Sequence, residues 1–559
     1  MTTSTDVAPR KNANELFARI GWAALICATL YVCYFSHLGA IGFVGPDEPR
    51  YAWIARDMAE TGDWVTPRLY GKPWFEKPPL YYWGAAICFK LFGVSEAAAR
   101  LPSAISALLA TLVLAWLAWH IYGAETARWL LLLLPTTVGM IGFSHAAATD
   151  MPFSAMLTIA MVCAAVVVGL VPDESSQDGA QNPAPLWDAA RRRWLALILF
   201  GFFLGLAVLA KGPAGIILCG AVLLWALFTK RWRDALRLLH PAAIAAFCLT
   251  ALPWYILCAH RNPDFFRIFI VEHNFKRYLT PEFQHIQPFW FYVPILLAGL
   301  LPWTLFLIPV VKAARESFQD HSYSAGTIFC ASWSLFPLIF FTVSKSKLPG
   351  YILPSIPPLI LLCADGGKRL SATNSRFARA VVCGTTVTAI GLVGAAIRYA
   401  LSLKRLVPFP PLVFDSSLSL RLVYFAGFLF GLSAPFFVFW RRSRTGVLCT
   451  VVGLVAVLWS TPLTIFDSAL SPRQASKGIL KMGGQNSDVL LCGVARSARY
   501  GFNFYLRREL ADWEQRDPEK RSVVVQGRPS CLSQIIDADY TPKGEMDFPR
   551  WTLFDVEPR

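Results

Sequence analysis

Two adjacent carboxylates, Asp47 and Glu48, stand between prolines in Gly45-Pro46-Asp47-Glu48-Pro49-Arg50-Tyr51. The prolines stiffen the backbone and fix the direction in which the acids point. A second acid–base pair follows in Phe75-Glu76-Lys77-Pro78-Pro79, where the prolines keep Glu76 and Lys77 out of a regular helix. The functional reading is a carboxylate and an ammonium held at an active site. Asp150 lies in Ala148-Thr149-Asp150-Met151-Pro152, Lys211 in Lys211-Gly212-Pro213, and Lys345 and Lys347 in Ser344-Lys345-Ser346-Lys347-Leu348-Pro349-Gly350-Tyr351. The stretch 260–287 adds His260, Arg261, Arg267, His273, Lys276 and Arg277. Lys and Arg gathered at a membrane surface suit phosphates, through charge-assisted hydrogen bonds to anionic oxygens.

Each group also has a plainer role. Asp47 or Glu48 is well placed to cap a helix over 50–60, and Thr149 or Asp150 to cap one starting near Pro152. Glu76–Lys77 can be a surface ion pair worth little, Lys211 a snorkelling helix-end lysine, and the cationic rim a contact for lipid headgroups. Glu76, Asp150 and His273 offer oxygen and nitrogen ligands to a divalent metal, but the sequence holds no HExxH and no paired-His spacing, and no metal is required by it.

The elements that must position these residues are membrane helices. The 559-residue chain is 55% apolar and 16% charged, against about 25% charged in soluble domains. Its repeated apolar runs of near-spanning length indicate an all-α polytopic membrane protein. The net charge of +16 fits basic loops and lipid headgroups without nucleic acid. Thirteen spanning runs stand out, at 20–39, 100–121, 127–147, 151–171, 194–211, 213–229, 240–259, 288–312, 325–342, 351–365, 378–400, 420–440 and 446–464. The first is expected to be an uncleaved helix. Leaving out the short segment 80–94 puts Arg191–Arg193, Lys230–Arg237, Lys312, Arg315, Lys368–Arg379 and Arg441–Arg444 on the cytoplasmic side, as the positive-inside rule requires. Segments 51–60 and 80–94 then become interfacial helices of the first outer loop, the former with Tyr51, Ile54 and Met58 on one face. This topology brings Asp47, Glu76, Lys77, Asp150, Lys211, 260–287, Lys345 and Lys347 to one outer face.

Segment 171–190 reads as a cytoplasmic linker. The chain divides into a membrane domain, 1–464, and a small extracytoplasmic α/β domain, 465–559, with strands at 489–494 and 522–525 and a helix at 472–480. Eleven of the thirteen cysteines lie in or beside apolar runs; Cys492 and Cys531 are candidates for a disulfide.

In combination, the motifs at 45–51, 75–83 (Phe75-Glu76-Lys77-Pro78-Pro79-Leu80-Tyr81-Tyr82-Trp83), 211–213 and 345–351 resemble those of the lipid A aminoarabinose transferases. These are GT-C glycosyltransferases that use polyprenyl-phosphate donors and are related to protein O-mannosyltransferases. The resemblance implies transfer of 4-amino-4-deoxy-L-arabinose from undecaprenyl phosphate to a lipid A phosphate, at the periplasmic face of the bacterial inner membrane, lowering outer-surface negative charge and so polymyxin binding. It implies Asp47, Glu76, Lys77 and Asp150 as catalytic residues. Arg50, Tyr51, Tyr81, Tyr82, Lys211, Arg261, His273, Lys345, Lys347 and Tyr351 are the substrate-binding candidates. Membrane lipids are the surroundings and a monomer is expected. The alternatives are a related transferase acting on protein or another lipid, in which Asp47 would be a true base for a hydroxyl, and a lipid transporter.

Overall fold

The computed structural model describes residues 8–172, 186–280, 286–404 and 443–559, apart from 321, 323, 374, 461, 462, 485, 486 and 518. The run 420–440 and most of the linker 171–190 lie outside the described residues. The chain is mostly helical, and the apolar runs form the helices. At the centre stands Asp150–Val167, in which every residue from Met151 onward is buried. It packs between Glu96–Tyr122 and Leu186–Lys211. Leu186–Lys211 in turn lies close against Pro241–Arg261 because it carries glycines four apart. A Cβ at Gly201 would run into the Ala243 carbonyl, and one at Gly205 would stand 2.7 Å from Thr250 Cβ. Small residues at this spacing let helix backbones approach in a membrane.

Among the described residues seven helices are long and apolar enough to span, or nine if two bent pairs each count as one span. The expected run 127–147 is broken at Pro135 into Ala124–Leu133 and Val138–Ser144, bent by 62°, and the run 288–312 is bent by 105° between Phe289–Gly299 and Trp303–Gln319. Proline removes a helix hydrogen bond and crowds the preceding turn. The two breaks repair each other. Val138 N–H donates to the Leu301 carbonyl (2.9 Å), and the Trp303 indole donates to Thr136 Oγ1 (2.9 Å). Backbone freed inside a membrane bundle has to be satisfied by protein in this way. The run 213–229 likewise divides into Ala214–Leu218 and Ala221–Thr229. Run 351–365 opens as a tight 3-10 turn over Pro349–Ser355.

The first outer loop holds the helices Asp47–Thr61 and Leu80–Phe92, separated by a hairpin pairing Arg68–Leu69 with Lys72–Pro73. Tyr51, Ile54 and Met58 are buried together, against Tyr82, Ala85 and Phe89 of the second helix. The shared face of the two helices therefore meets protein rather than lipid.

Beyond Asp467 the chain forms a five-stranded mixed sheet in the order Ala511–Asp512, Asp488–Cys492, Ser522–Gln526, Thr552–Pro558, Tyr540–Asp547. The first three strands are parallel and the last two antiparallel. Asp488–Cys492, Ser522–Gln526 and the helix Arg473–Lys481 fall where the sequence places them. Tyr540–Asp547 is an edge strand carrying Pro542, Gly544 and alternating charges, features that suit an edge and hide a strand from a hydrophobicity reading. Cys492 and Cys531 are joined by a disulfide.

Candidate active site

Asp47 and Glu48 occupy the first turn of Asp47–Thr61, whose preceding residue is Pro46, and neither side chain caps it. The two neighbours diverge. Glu48 is buried and accepts from Arg100 Nε (2.9 Å) and Nη2 (2.8 Å), Val44 N–H (2.8 Å) and Ala147 N–H (2.8 Å). Arg100 also donates to the carbonyls of Leu38, Ile41 and Gly42. Glu48–Arg100 is thus a buried pin joining the first span's end, the first-loop helix and the segment before Asp150. Asp47, with its side chain 53% exposed, instead faces open space and ion-pairs with Arg50.

Arg50 is the hub. Its side chain is 7% exposed; it pairs with Asp47 and, through Nη1, with Glu76 Oε2 at 3.0 Å, while Nε donates to the Pro46 carbonyl at 3.1 Å. The rings of Tyr51, Trp74 and Tyr500 surround its guanidinium at 5.7, 5.7 and 5.3 Å. Burial alone would lower its pKa, but Glu76, Tyr51 and Asp47 outweigh it and hold the charge more firmly than usual. Glu76 in turn meets Lys77 at 3.8 Å.

A second ion pair joins Asp150, at the start of the central helix, to Lys211, at the end of its neighbour. The Lys211 ammonium lies 4.8 Å from the Tyr351 ring centroid and 5.5 Å from that of Phe153. Gly350 makes the arrangement possible, since a Cβ there would stand 2.6 Å from Asp150 Oδ1. Lys77 and Lys211 then meet across one cavity of about 350 Å³, where they are joined by His273, Asn274, Tyr278 and Tyr351. The rest of its wall is mainly apolar, including Ile217, Leu279, Phe340 and Phe341. Two ammonium groups in the wall of a mainly apolar cavity can hold an anionic group on a hydrocarbon chain.

The other predicted residues are placed differently. Arg261 pairs with Asp63 at 3.1 Å and is not among the residues lining the cavity. Lys345 is exposed, and its backbone N–H donates to the Tyr278 carbonyl at 3.0 Å. Lys347 is buried and donates to the Ser344 carbonyl at 2.6 Å, so it braces its own loop rather than lining the cavity. Burial and the Lys345 charge push its pKa down. Tyr81 is spent on the Ala99 carbonyl (2.9 Å), while Tyr51 and Tyr82 pack ring against ring at 5.8 Å beneath Arg50. Glu76 and Asp150 are engaged by Arg50 and Lys211. Among the described residues no three His, Cys, Asp or Glu side chains gather as metal ligands. The set Glu76, Asp150 and His273 expected for a metal is therefore not assembled.

Arg100, Asn274, Tyr278 and Trp74 were not singled out by sequence. For Arg100 a signal existed: a charge opening a long apolar run is costly unless partnered. Nothing in the sequence marked the other three.

The family model for dolichyl-phosphate-mannose-protein mannosyltransferases matches residues 20–269. In fold the chain is similar to ArnT from Cupriavidus metallidurans, in the apo state, with a TM-score of 0.72 at 22% identity over 96% of this chain and 98% of that one. A second structure, of the same protein bound to undecaprenyl phosphate, gives a TM-score of 0.71 at 22% identity over the same shares. A relative from Aeromonas salmonicida, described as undecaprenyl phosphate-alpha-4-amino-4-deoxy-L-arabinose arabinosyl transferase, is 32% identical over 82% of this chain and 80% of its own length. One of the same description from Serratia proteamaculans is 28% identical over 95% and 90%. The chain belongs to the family of undecaprenyl phosphate-aminoarabinose arabinosyl transferases.

Proposed function

We propose that this multi-pass membrane glycosyltransferase moves 4-amino-4-deoxy-L-arabinose from undecaprenyl phosphate to a phosphate of lipid A, at the periplasmic face of the bacterial inner membrane. The product carries less negative charge, and the cell resists polymyxin and other cationic peptides. The observation that carries the reading is the cavity lined by Lys77 and Lys211 and by mainly apolar side chains, which suits a phosphate on a polyprenyl chain. The name borne by the relatives supports the same donor.

In the transfer, an oxygen of the lipid A phosphate attacks the anomeric carbon of the sugar, and the bond from that carbon to the donor phosphate oxygen breaks. Undecaprenyl phosphate leaves as the anion. Lys77 and Lys211 balance the charge that grows on it. A phosphate acceptor is already ionised near neutral pH and needs little help from a base. Asp47, open on one side and ion-paired with Arg50 on the other, suits orientation of the acceptor or the sugar ammonium better than proton removal. This favours phosphate over a protein hydroxyl as acceptor. Glu76 and Arg50 hold Asp47 and Lys77 in register, and Asp150 holds Lys211. Residues 1–464 supply this machinery from the membrane side and 465–559 cover it from the periplasm.

The test is the lipid A mass profile of a bacterium that makes the donor but lacks its own transferase, expressing this chain or Asp47→Asn. The intact chain is expected to add aminoarabinose and the variant to lose most of it. Unmodified lipid A alongside a membrane-inserted intact chain would overturn the substrate assignment.

A further inference from the structure

The C-terminal region reaches the catalytic hub through one helix, Arg496–Leu506, which lies along Asp47–Thr61. The helix is clamped to the first outer loop. Arg56 donates to the Phe504 carbonyl (3.1 Å), Asn503 Nδ2 donates to Tyr70 Oη (2.8 Å), Phe43 N–H donates to Tyr505 Oη (2.9 Å), and Tyr505 Oη donates to Glu96 (2.8 Å). These bonds fix the helix in place. Phe504 also packs against Phe43 and Arg56. One further contact differs in what it touches: Tyr500 lays its ring 5.3 Å from the Arg50 guanidinium, the nearest of the three rings around that group. Tyr51 and Trp74 come from the same loop as Arg50. Tyr500 comes from some 450 residues away in sequence, and Arg496 lies 5.7 Å from its ring centroid and donates to its Oη at 3.3 and 3.4 Å.

We propose that Tyr500 is a positioning residue for sugar transfer, closing the aromatic cage that keeps Arg50 between Asp47 and Glu76. The inference rests on the role given above to Asp47. A guanidinium with three rings within 6 Å and a side chain only 7% exposed is held by the ring quadrupoles and shielded from water. Without the Tyr500 ring, Arg50 can turn toward solvent, and the Asp47 carboxylate and the Glu76–Lys77 pair lose their common partner. The C-terminal region then contributes to the chemistry as well as to the stability of the chain.

The experiment uses purified full-length protein, undecaprenyl-phosphate aminoarabinose as the varied donor and lipid A as acceptor. Four proteins are compared with wild type: Tyr500→Leu, Tyr500→Phe, Asn503→Ala and Asp47→Asn. Tyr500→Leu is expected to lower kcat about tenfold with donor KM little changed, the scale of a well-shielded cation–π contact. Tyr500→Phe keeps the ring and is expected to restore kcat to within about twofold. Asn503→Ala weakens the clamp without touching Arg50, and is expected to lower the unfolding temperature while leaving kcat alone. The proposal is overturned if Tyr500→Leu keeps wild-type kcat, if Phe and Leu are equally impaired, or if Asn503→Ala loses kcat in the same proportion as Tyr500→Leu. If Asp47→Asn also keeps full kcat, it is the reading of the site that fails. If Asp47→Asn is inactive and Tyr500→Leu is normal, only the present inference fails.

Discussion

Replacing Glu48 with Gln strips the buried Arg100 of its counter-charge, and breaking such a pair from one side costs about 3–5 kcal/mol. The expected result is a sharply lower unfolding temperature in detergent and a poor yield of folded protein. Asp47→Asn, one residue away, is expected to leave the unfolding temperature almost unmoved, because its carboxylate is half-exposed. Gly350→Ala tests the second ion pair: the new methyl would press on Asp150 Oδ1, so transfer is expected to fall about tenfold or more while the chain still folds. Motif and topology led the sequence reading to expect these acids and bases together; the structure joins Asp47, Arg50, Glu76 and Lys77 in one set of ion pairs and Asp150 and Lys211 in another. The sequence could not separate Asp47 from Glu48, because that depends on where Arg100 arrives. Nor could it tell Lys211, which faces the cavity, from Lys347, which turns back onto the Ser344 carbonyl. Both are lysines beside a Gly-Pro or Pro-Gly turn, and only the path of the backbone distinguishes them.

At the scale of elements, two helices carry the second ion pair: Asp150 opens the central one and Lys211 closes its neighbour. Their positions are fixed by packing below the membrane surface. Gly201→Leu is expected to force Leu186–Lys211 away from Pro241–Arg261, with a cost of about 1–3 kcal/mol or more and a loss of transfer although the site is untouched. Leu249→Ala, on the exposed face of the second helix, is the control and is expected to stay within about 0.5 kcal/mol of wild type. The long uniform runs, such as 100–121 and 194–211, were legible as helices from composition. Pro135 and Pro302 each give a local reason for a break, but the bends of 62° and 105° were not legible, because the groups each break frees are satisfied by the other across the fold.

For the whole molecule, Asp467 anchors a second contact between the C-terminal region and the start of the first loop, beside that of Arg496–Leu506. Burial pushes its carboxyl up, but the Gly42 N–H, Ser471, Arg473 and Gln474 outweigh this and hold it below the usual range. Arg473 extends the junction to Glu96 (3.2 Å) and to the carbonyls of Gly39 and Ala40. A carboxyl depressed in the folded state stabilises fully above its ordinary pKa, near 4, and that contribution fades as pH falls through the folded value. Protease sensitivity of the junction is therefore expected to rise below about pH 4 in wild type, and Asp467→Asn is expected to show that sensitivity already at neutral pH. In the sequence this part of the chain shows as a change from apolar to mixed character after Thr464. The junction does not show there, since its partners lie more than 370 residues apart. The central helix has a further consequence, for how the chain can vary. Protein surrounds Asp150–Val167 on all sides, so a volume change at Ala155, Ala160 or Ala164 has no lipid to yield into. The helix Pro241–Arg261, by contrast, presents Leu249 and Ile256 outward, and Glu96–Tyr122 presents Trp119, where acyl chains re-form around any apolar shape. A saturation library scored for polymyxin survival should then show a ring of permissive sites around one intolerant rod, so that drift in this chain is confined to its lipid-facing circumference.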